Sequence, residues 1–219
     1  MQILPFYAVC DESSSMTPHI DTLNDALVSL HQEISTNPTV ADKTRFGLIG
    51  FSTDAHELQP LADLSDLEEL PALAASGLTS FRRVFELLRR GIDRDVRELK
   101  AEGHDVYRPV VFFLSDGEPT DSDWEQPYQD LLAAAFRPHI IAFGIGEADR
   151  AVIARVATFK AFMQKDGDAD VAPALREFAA SLTRSIVRSV SGANAAGTGM
   201  SLQVDDQLSG FTTVSLDKL

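Results

Sequence analysis

The chain is short of cysteine, of positive charge and of long apolar runs. Its one cysteine, Cys10, excludes an internal disulfide and a zinc ribbon built on paired thiolates. It stands inside an apolar run, where a free thiol behaves as a small buried hydrophobe. Lysine and arginine number 19 against 33 aspartates and glutamates, a formal charge of −14 over 219 residues. Long-range repulsion then disfavours a general grip on nucleic-acid phosphates or anionic lipid, so neither nucleic acid nor a membrane is expected as a partner. No stretch approaches the ~20 consecutive apolar residues of a membrane helix. The opening MQILPFYAVC has no basic segment followed by a cleavage pattern. A soluble cytoplasmic protein is the expectation.

Familiar catalytic signatures are also missing. There is no P-loop and no G-x-S-x-G elbow, and GIGEAD (144–149) carries Asp149 where a dinucleotide turn needs its third glycine. The five histidines, His19, His31, His56, His104 and His139, show no metal-ligand spacing. DGDAD (166–170) lacks the loop length and terminal Glu of an EF-hand and reads as a solvated turn. The arginines at 83, 89, 90, 94 and 97 read as the solvent face of a helix, with Glu86 and Asp93 as partners.

What remains is an ordinary globular composition, 44% hydrophobic and 24% charged. ILPFYAVC (3–10) is a nearly continuous apolar run, which suits a strand covered on both faces. From Thr17, with Pro18 in the first turn, Ile20, Leu23, Leu27, Leu30 and Ile34 recur at helical steps. RFGLIGFS (45–52) reads as a strand, with AHELQPL as its hairpin return and Pro60 at an edge. LSDLEEL (64–70) reads as a short helix capped by Ser65, and GLTS (77–80) as a loop before a long helix from Phe81 to Ala101. RPVVFFLSDGEPTD (108–121) repeats the opening pattern of a hydrophobic strand ending in a carboxylate. Helices at 124–136, 148–157 and 171–190 alternate with strands at 139–146 and 158–164. This alternation predicts an α/β fold: a doubly wound, mainly parallel sheet with one antiparallel edge strand and helices on both faces. Ligands of such sheets collect at the carboxyl ends of strands. After residue 190 the composition turns to GANAAGTG. The expected organisation is therefore one domain over 1–190 and a flexible linker and tail over 191–219, the tail forming at most a strand or two.

Three loops fall at the same end of that sheet. The first offers Asp11, Ser13 and Ser15 as D-x-S-x-S, the second Thr79, the third Asp116. Two carboxylates and three hydroxyls, without His or Cys, suit a hard divalent cation such as Mg2+. Side chains this short cannot complete an octahedral shell, so water or an outside ligand must. Singly, each residue has an ordinary reading, the serines or Thr79 as helix caps and Asp116 as a turn residue. All of those readings would have to hold together for no site to exist.

VCDESSSM, the Thr of GLTS and FLSDG resemble the three segments of the metal-ion-dependent adhesion site of von Willebrand factor A domains, and the resemblance covers about residues 1–190. Within that family, GLTSF and LSDGEPTD resemble the bacterial TerY-like tellurium-resistance proteins. The resemblance implies that Ser13 and Ser15 ligate the metal directly, that Asp11 and Asp116 bind it directly or through water, and that Thr79 joins in some states. It implies Mg2+, with Mn2+ or Ca2+ as alternatives, and a protein partner whose Asp or Glu fills an open position. The function so implied is that of a binding module, not an enzyme, in tellurium resistance or stress response. It also makes the 171–190 helix the element to test for displacement when the site changes state. Two other readings stand beside it. One is a metal-dependent phosphatase with Asp11 as nucleophile, although Ser13 stands where that chemistry normally has a second Asp. The other is a scaffold with a vestigial site. Glu12, Ser14, Met16, Ser80, Gly117 and Glu118 are neighbours by chain proximity alone.

Overall fold

The computed structural model describes residues 1–165, 170–196 and 200–214, of which 192–196 as backbone only. The strands are β1 (Gln2–Asp11), β2 (Thr44–Phe51), β3 (Ala55–Ala62), β4 (Asp105–Val106), β5 (Val110–Ser115), β6 (His139–Gly144), β7 (Lys160–Gln164) and β8 (Phe211–Val214). The helices are α1 (Ile20–Ser35), α2 (Pro38–Ala41), α3 (Phe81–Ala101), α4 (Glu125–Leu132), α5 (Arg150–Val156) and α6 (Ala172–Ala196).

The sheet runs β3-β2-β1-β5-β6-β7-β8, with β4 beside the start of β1. Strands β2, β1, β5, β6 and β7 are parallel. At one margin β3 returns antiparallel to β2, with a register irregularity near Leu48, and it carries Pro60 on the outer strand. A second antiparallel margin, β8 on β7, is added by the chain beyond α6. Burial on both faces explains the unbroken apolar runs of β1 and β5. Because successive side chains alternate, Leu4, Phe6, Ala8 and Cys10 enter the layer under α1 and α6, while Tyr7 and Val9 enter the layer under α3, α4 and α5. Cys10 is fully buried and its thiol pKa is pushed up, chiefly by burial, as befits an inert core residue.

Several local boundaries differ from expectation. Helix α1 starts at Ile20, after a separate 3-10 turn over Ser14–Met16. LSDLEEL contracts to one 3-10 turn, Leu64–Asp66, and its cap is Asp63, whose carboxylate accepts from the Ser65 amide at 2.9 Å and hydroxyl at 2.7 Å. The helix expected over 124–136 spans only Glu125–Leu132. The DGDAD turn lies outside the described residues at 166–169. Among the described residues no helix is long and apolar enough to cross a membrane.

The last helix passes residue 190 and continues to Ala196, and residues 200–214 come back against the body. Met200, Leu208 and Phe211 join the α1/α6 core layer. The Lys160 ammonium donates to the carbonyls of Val204 (2.8 Å) and Asp205 (3.0 Å). Ser185 Oγ donates to the Gln203 carbonyl at 2.7 Å, and the Gln203 amide donates to Ser189 Oγ at 2.9 Å. The Asp205 carboxylate takes Arg184 Nε at 2.9 Å and also Arg188. Burial works against its charge, but the hydrogen bonds from Arg184 and Arg188 outweigh it and hold its pKa below the ordinary value. A folded value below the unfolded one stabilises above the unfolded pKa, near 4, and that contribution is lost as pH falls through the folded value. Asp205→Ala is therefore expected to cost about 1 kcal/mol at pH 7. Urea unfolding of wild type and variant should converge as the pH drops below 4; a pH-independent difference would show that the charge is not the tie.

Candidate metal centre

Strands β1 and β5 are neighbours, yet the chain leaves β1 towards β2 and reaches β5 only later. The connections thus diverge at the carboxyl ends of these two strands, which is where an open α/β sheet forms its crevice. Asp11 ends β1 and Asp116 follows β5. The Asp11 carboxylate is fully buried, and its oxygens are separately held. Oδ1 accepts from the Ser13 amide at 2.8 Å, and Oδ2 accepts from the Ser115 hydroxyl at 2.6 Å.

The serine run then divides by function. Ser13 occupies the cap position of the 3-10 turn but makes no capping hydrogen bond. Its Oγ instead lies 2.9 Å from Ser15 Oγ, which donates to Asp116 Oδ1 at 2.8 Å. Asp11, Ser13, Ser15 and Asp116 form one continuous polar chain across the strand ends. Ser14 faces away, its hydroxyl and amide both donating to the Gly77 carbonyl, at 3.0 and 3.1 Å. That pair ties the first loop to the second, where Gly77 has φ +75°.

Thr79 is buried in the second loop, and its carbonyl accepts from the Thr120 amide at 2.8 Å and hydroxyl at 3.0 Å. Its Oγ1 lies 3.9 Å from where a Gly117 Cβ would stand, so the hydroxyl faces the residue after Asp116. Thr79 does not cap α3; Ser80 does, accepting from the Arg83 amide at 3.3 Å. Ser80 in turn donates to Asp121 Oδ2 at 2.7 Å, and Asp121 also receives the amides of Phe81 (3.2 Å) and Arg82 (2.8 Å). The third loop is thereby fastened to the first turn of α3, where a carboxylate is favoured by the helix dipole.

All five residues singled out in the sequence are brought to this one end of the sheet. Their chain neighbours do different work. Met16 is a core residue, and Glu12 turns away, its Oε1 accepting from the Ala74 amide at 2.7 Å and its carbonyl from the Ser76 amide at 2.6 Å. A Cβ at Gly50 would stand 1.8 Å from Glu12 Oε2, so that carboxylate needs glycine beneath it. Glu118 is exposed. Two supports escaped the sequence reading, Ser115 beneath Asp11 and Asp121 at the helix start. Both lie inside LSDGEPTD, but neither has a spacing signal of its own.

The electrostatics are those of an anion site turned inside out. Burial raises the Asp11 pKa to about 6; hydrogen bonds from Ser115 and Ser13 oppose the rise and the Asp116 charge adds to it. Asp116 is also raised, chiefly by burial, against hydrogen bonding from Ser15. Two desolvated carboxylates and three hydroxyls fit a hard cation, which would favour both charged forms. Among the described residues no three His, Cys, Asp or Glu gather as a metal group, so hydroxyl oxygens have to supply part of any shell.

A family model described as von Willebrand factor type A domain matches residues 6–179. Solved structures of similar fold include the von Willebrand factor type A protein from Catenulispora acidiphila, at TM-score 0.60 and 16% identity, over 84% of this chain and 43% of that one. The pilus adhesin SpaC from Lactobacillus rhamnosus GG, in an open conformation, is similar at TM-score 0.62 and 15% identity over 86% and 30%. Proximal thread matrix protein 1 from the mussel byssus is similar at 0.57 and 16%, over 85% and 48%. The chain spans less than half the length of each of these three. No curated protein sequence matches it. With the family model matching residues 6–179, most of its length, the chain belongs to the von Willebrand factor type A domain family.

Proposed function

We propose that the chain is a protein-binding module in which Asp11, Ser13, Ser15, Thr79 and Asp116 hold a divalent cation, Mg2+ foremost. A partner protein is captured there through an Asp or Glu. The supporting observation is the single polar chain from Asp11 through Ser13 and Ser15 to Asp116, with the Thr79 hydroxyl near Gly117, the residue after Asp116. When bound, the ion supplies positive charge at the strand ends, where Asp11 and Asp116 would otherwise repel a partner's carboxylate. The chain's own residues do the rest. Asp11 brings buried negative charge, Ser115 and the Ser13 amide fix its two oxygens, and Asp121 anchors the loop that carries Asp116. Leu78, 59% exposed beside Thr79, offers the partner an apolar contact next to the charged one. Within the family, GLTSF and LSDGEPTD support a TerY-like role in tellurium resistance or stress response, which disruption of the gene in its host and a tellurite-tolerance assay would check.

Titration calorimetry with Mg2+ or Mn2+ should give saturable binding to wild type and none to Asp11→Ala; equal, undetectable heats for both would end the proposal. The serines should separate. Ser13→Ala and Ser15→Ala are expected to weaken binding roughly tenfold or more, and Ser115→Ala, acting through Asp11, by about 10–100-fold. Ser14→Ala, which loses only a hydrogen bond to Gly77, should be near neutral. Equal tolerance of all four would contradict the assignment.

The raised carboxylates set a pH dependence. Without metal, a folded pKa near 6 for Asp11 lies above its unfolded value, so its contribution to stability is present in acid and lost as pH rises through 6. Metal requires the ionised form, so protons compete with it below about pH 6, by up to ~tenfold in affinity per pH unit. Scanning fluorimetry should show a larger Mg2+-dependent rise in Tm at pH 7.5 than at pH 5; an equal rise would place the metal elsewhere.

A further inference from the structure

The groove between α3 and α4 differs in charge from the rest of this acidic molecule. Two adjoining depressions, of about 620 and 460 Å3, share Ala133, Ala134 and Ala135 as lining. Arg89, Arg90 and Arg97 of α3 line the first, and Arg108 and Arg137 line the second. All five are exposed. The two lining aspartates are engaged: Asp93 Oδ2 accepts from Arg97 Nε at 2.7 Å, and Asp130 lies 3.8 Å from Arg89 while accepting from Gln126 at 2.9 Å. Arg90, Arg108 and Arg137 form no ion pair with any described residue.

Further observations give the groove a preformed character. Phe136, in its wall, carries the Arg97 guanidinium at 5.8 Å and the Lys100 ammonium at 4.7 Å from its ring centre, which restrains both cations before any ligand arrives. The positive field also reaches inward. The His139 pKa is held below its ordinary value, first by burial and then by Arg108 and Arg137.

The groove is remote from the strand-end crevice. Helix α3 begins beside Thr79, but Arg89 and Arg97 lie roughly two and four turns further along it. Arg108 and Arg137 precede β5 and β6, at the amino ends of the strands, whereas Asp11 and Asp116 lie at the carboxyl ends.

We infer that this groove is a second docking surface, which takes an acidic segment of a partner protein with apolar residues between its carboxylates. Free guanidiniums match carboxylates with two parallel hydrogen bonds each. Leu132, the three alanines and the Phe136 ring give an apolar floor for the intervening side chains. A nucleic acid fits less well, because its line of phosphates carries a higher charge density than carboxylates separated by apolar residues and so meets more of the long-range repulsion of the whole chain. The inference stands apart from the cation site, since none of its residues belongs to it.

The test is fluorescence anisotropy of a labelled 12-residue peptide of alternating Glu and Leu, at low salt and with EDTA so that the strand-end site contributes nothing. Wild type should bind, and binding should weaken with added salt. Arg90→Glu/Arg108→Glu/Arg137→Glu should raise the Kd by roughly tenfold or more. Arg150→Glu/Lys165→Glu/Arg176→Glu changes net charge equally at exposed positions elsewhere and should move it little. Circular dichroism and Tm verify that each variant folds, with Arg90→Gln/Arg137→Gln as the milder pair. No binding by wild type, equal loss in both triple variants, or a labelled oligothymidine binding as tightly as the peptide would each overturn the inference.

Discussion

Parallel pairing of β1 with β5 sets Cys10 opposite Leu114 and so brings together side chains that are 104 residues apart, Asp11 and Ser115. The placing of Asp11, Ser115 and Asp116 follows from that ladder. It aligns the ends of two strands whose connections leave in different directions, and the crevice opens between them. Two carboxylates then face each other with little solvent. Such an arrangement is tolerable only because hydroxyls and an amide are aimed at them, since a buried charge without partners costs several kcal/mol. Among the described residues no buried side-chain oxygen or nitrogen is left without a hydrogen bond.

The loops of the centre stand on a stiff base. Phe51, Phe81, Phe85 and Phe113 pack ring against ring at 5.1–6.0 Å directly under the first turn of α3, and Trp124 closes the cluster at 5.7 Å from Phe81. Aromatic packing of this kind adds about 0.5–1.5 kcal/mol per pair beyond area burial. Since Phe81 follows Ser80 and Thr79 directly, its ring fixes where the second loop begins. The polar tie from Ser80 to Asp121 then transfers that position to the third loop. A similar division of labour holds at the far margin, where Phe211 packs on Phe143 at 5.4 Å and the Asp205 ion pairs hold the chain that leads to β8.

Much of the sheet was legible because buried strands and amphipathic helices write their periods directly into hydrophobicity. Helix α3 begins at Phe81 and ends at Ala101 as its apolar stripe indicates, and the long runs in β1, β5 and β6 reflect cover on both faces. Short elements were less visible. Strand β4 has two residues and no pattern to show, and β8 pairs with β7 from a segment whose alternation is weak. Asp63 rather than Ser65 caps the 3-10 turn because the carboxylate reaches both the amide and the hydroxyl of Ser65. In the centre, the five oxygen-bearing residues stood out as strand-end clusters, whereas Ser115 reads as one more strand residue and Asp121 as one more loop acid.

The amino-acid sequence by itself determined the alternation of strands and helices, the excess of negative charge and the oxygen-only chemistry at three strand-end loops. These are properties of residue type and short-range spacing, which hydrophobic burial and side-chain chemistry read locally. Tertiary structure alone decided which serine of the run faces Asp116 and which faces Gly77, that Ser115 supports Asp11, and that five arginines from three segments share one groove. Those outcomes depend on strand order and helix packing, which bring together residues that no local pattern connects.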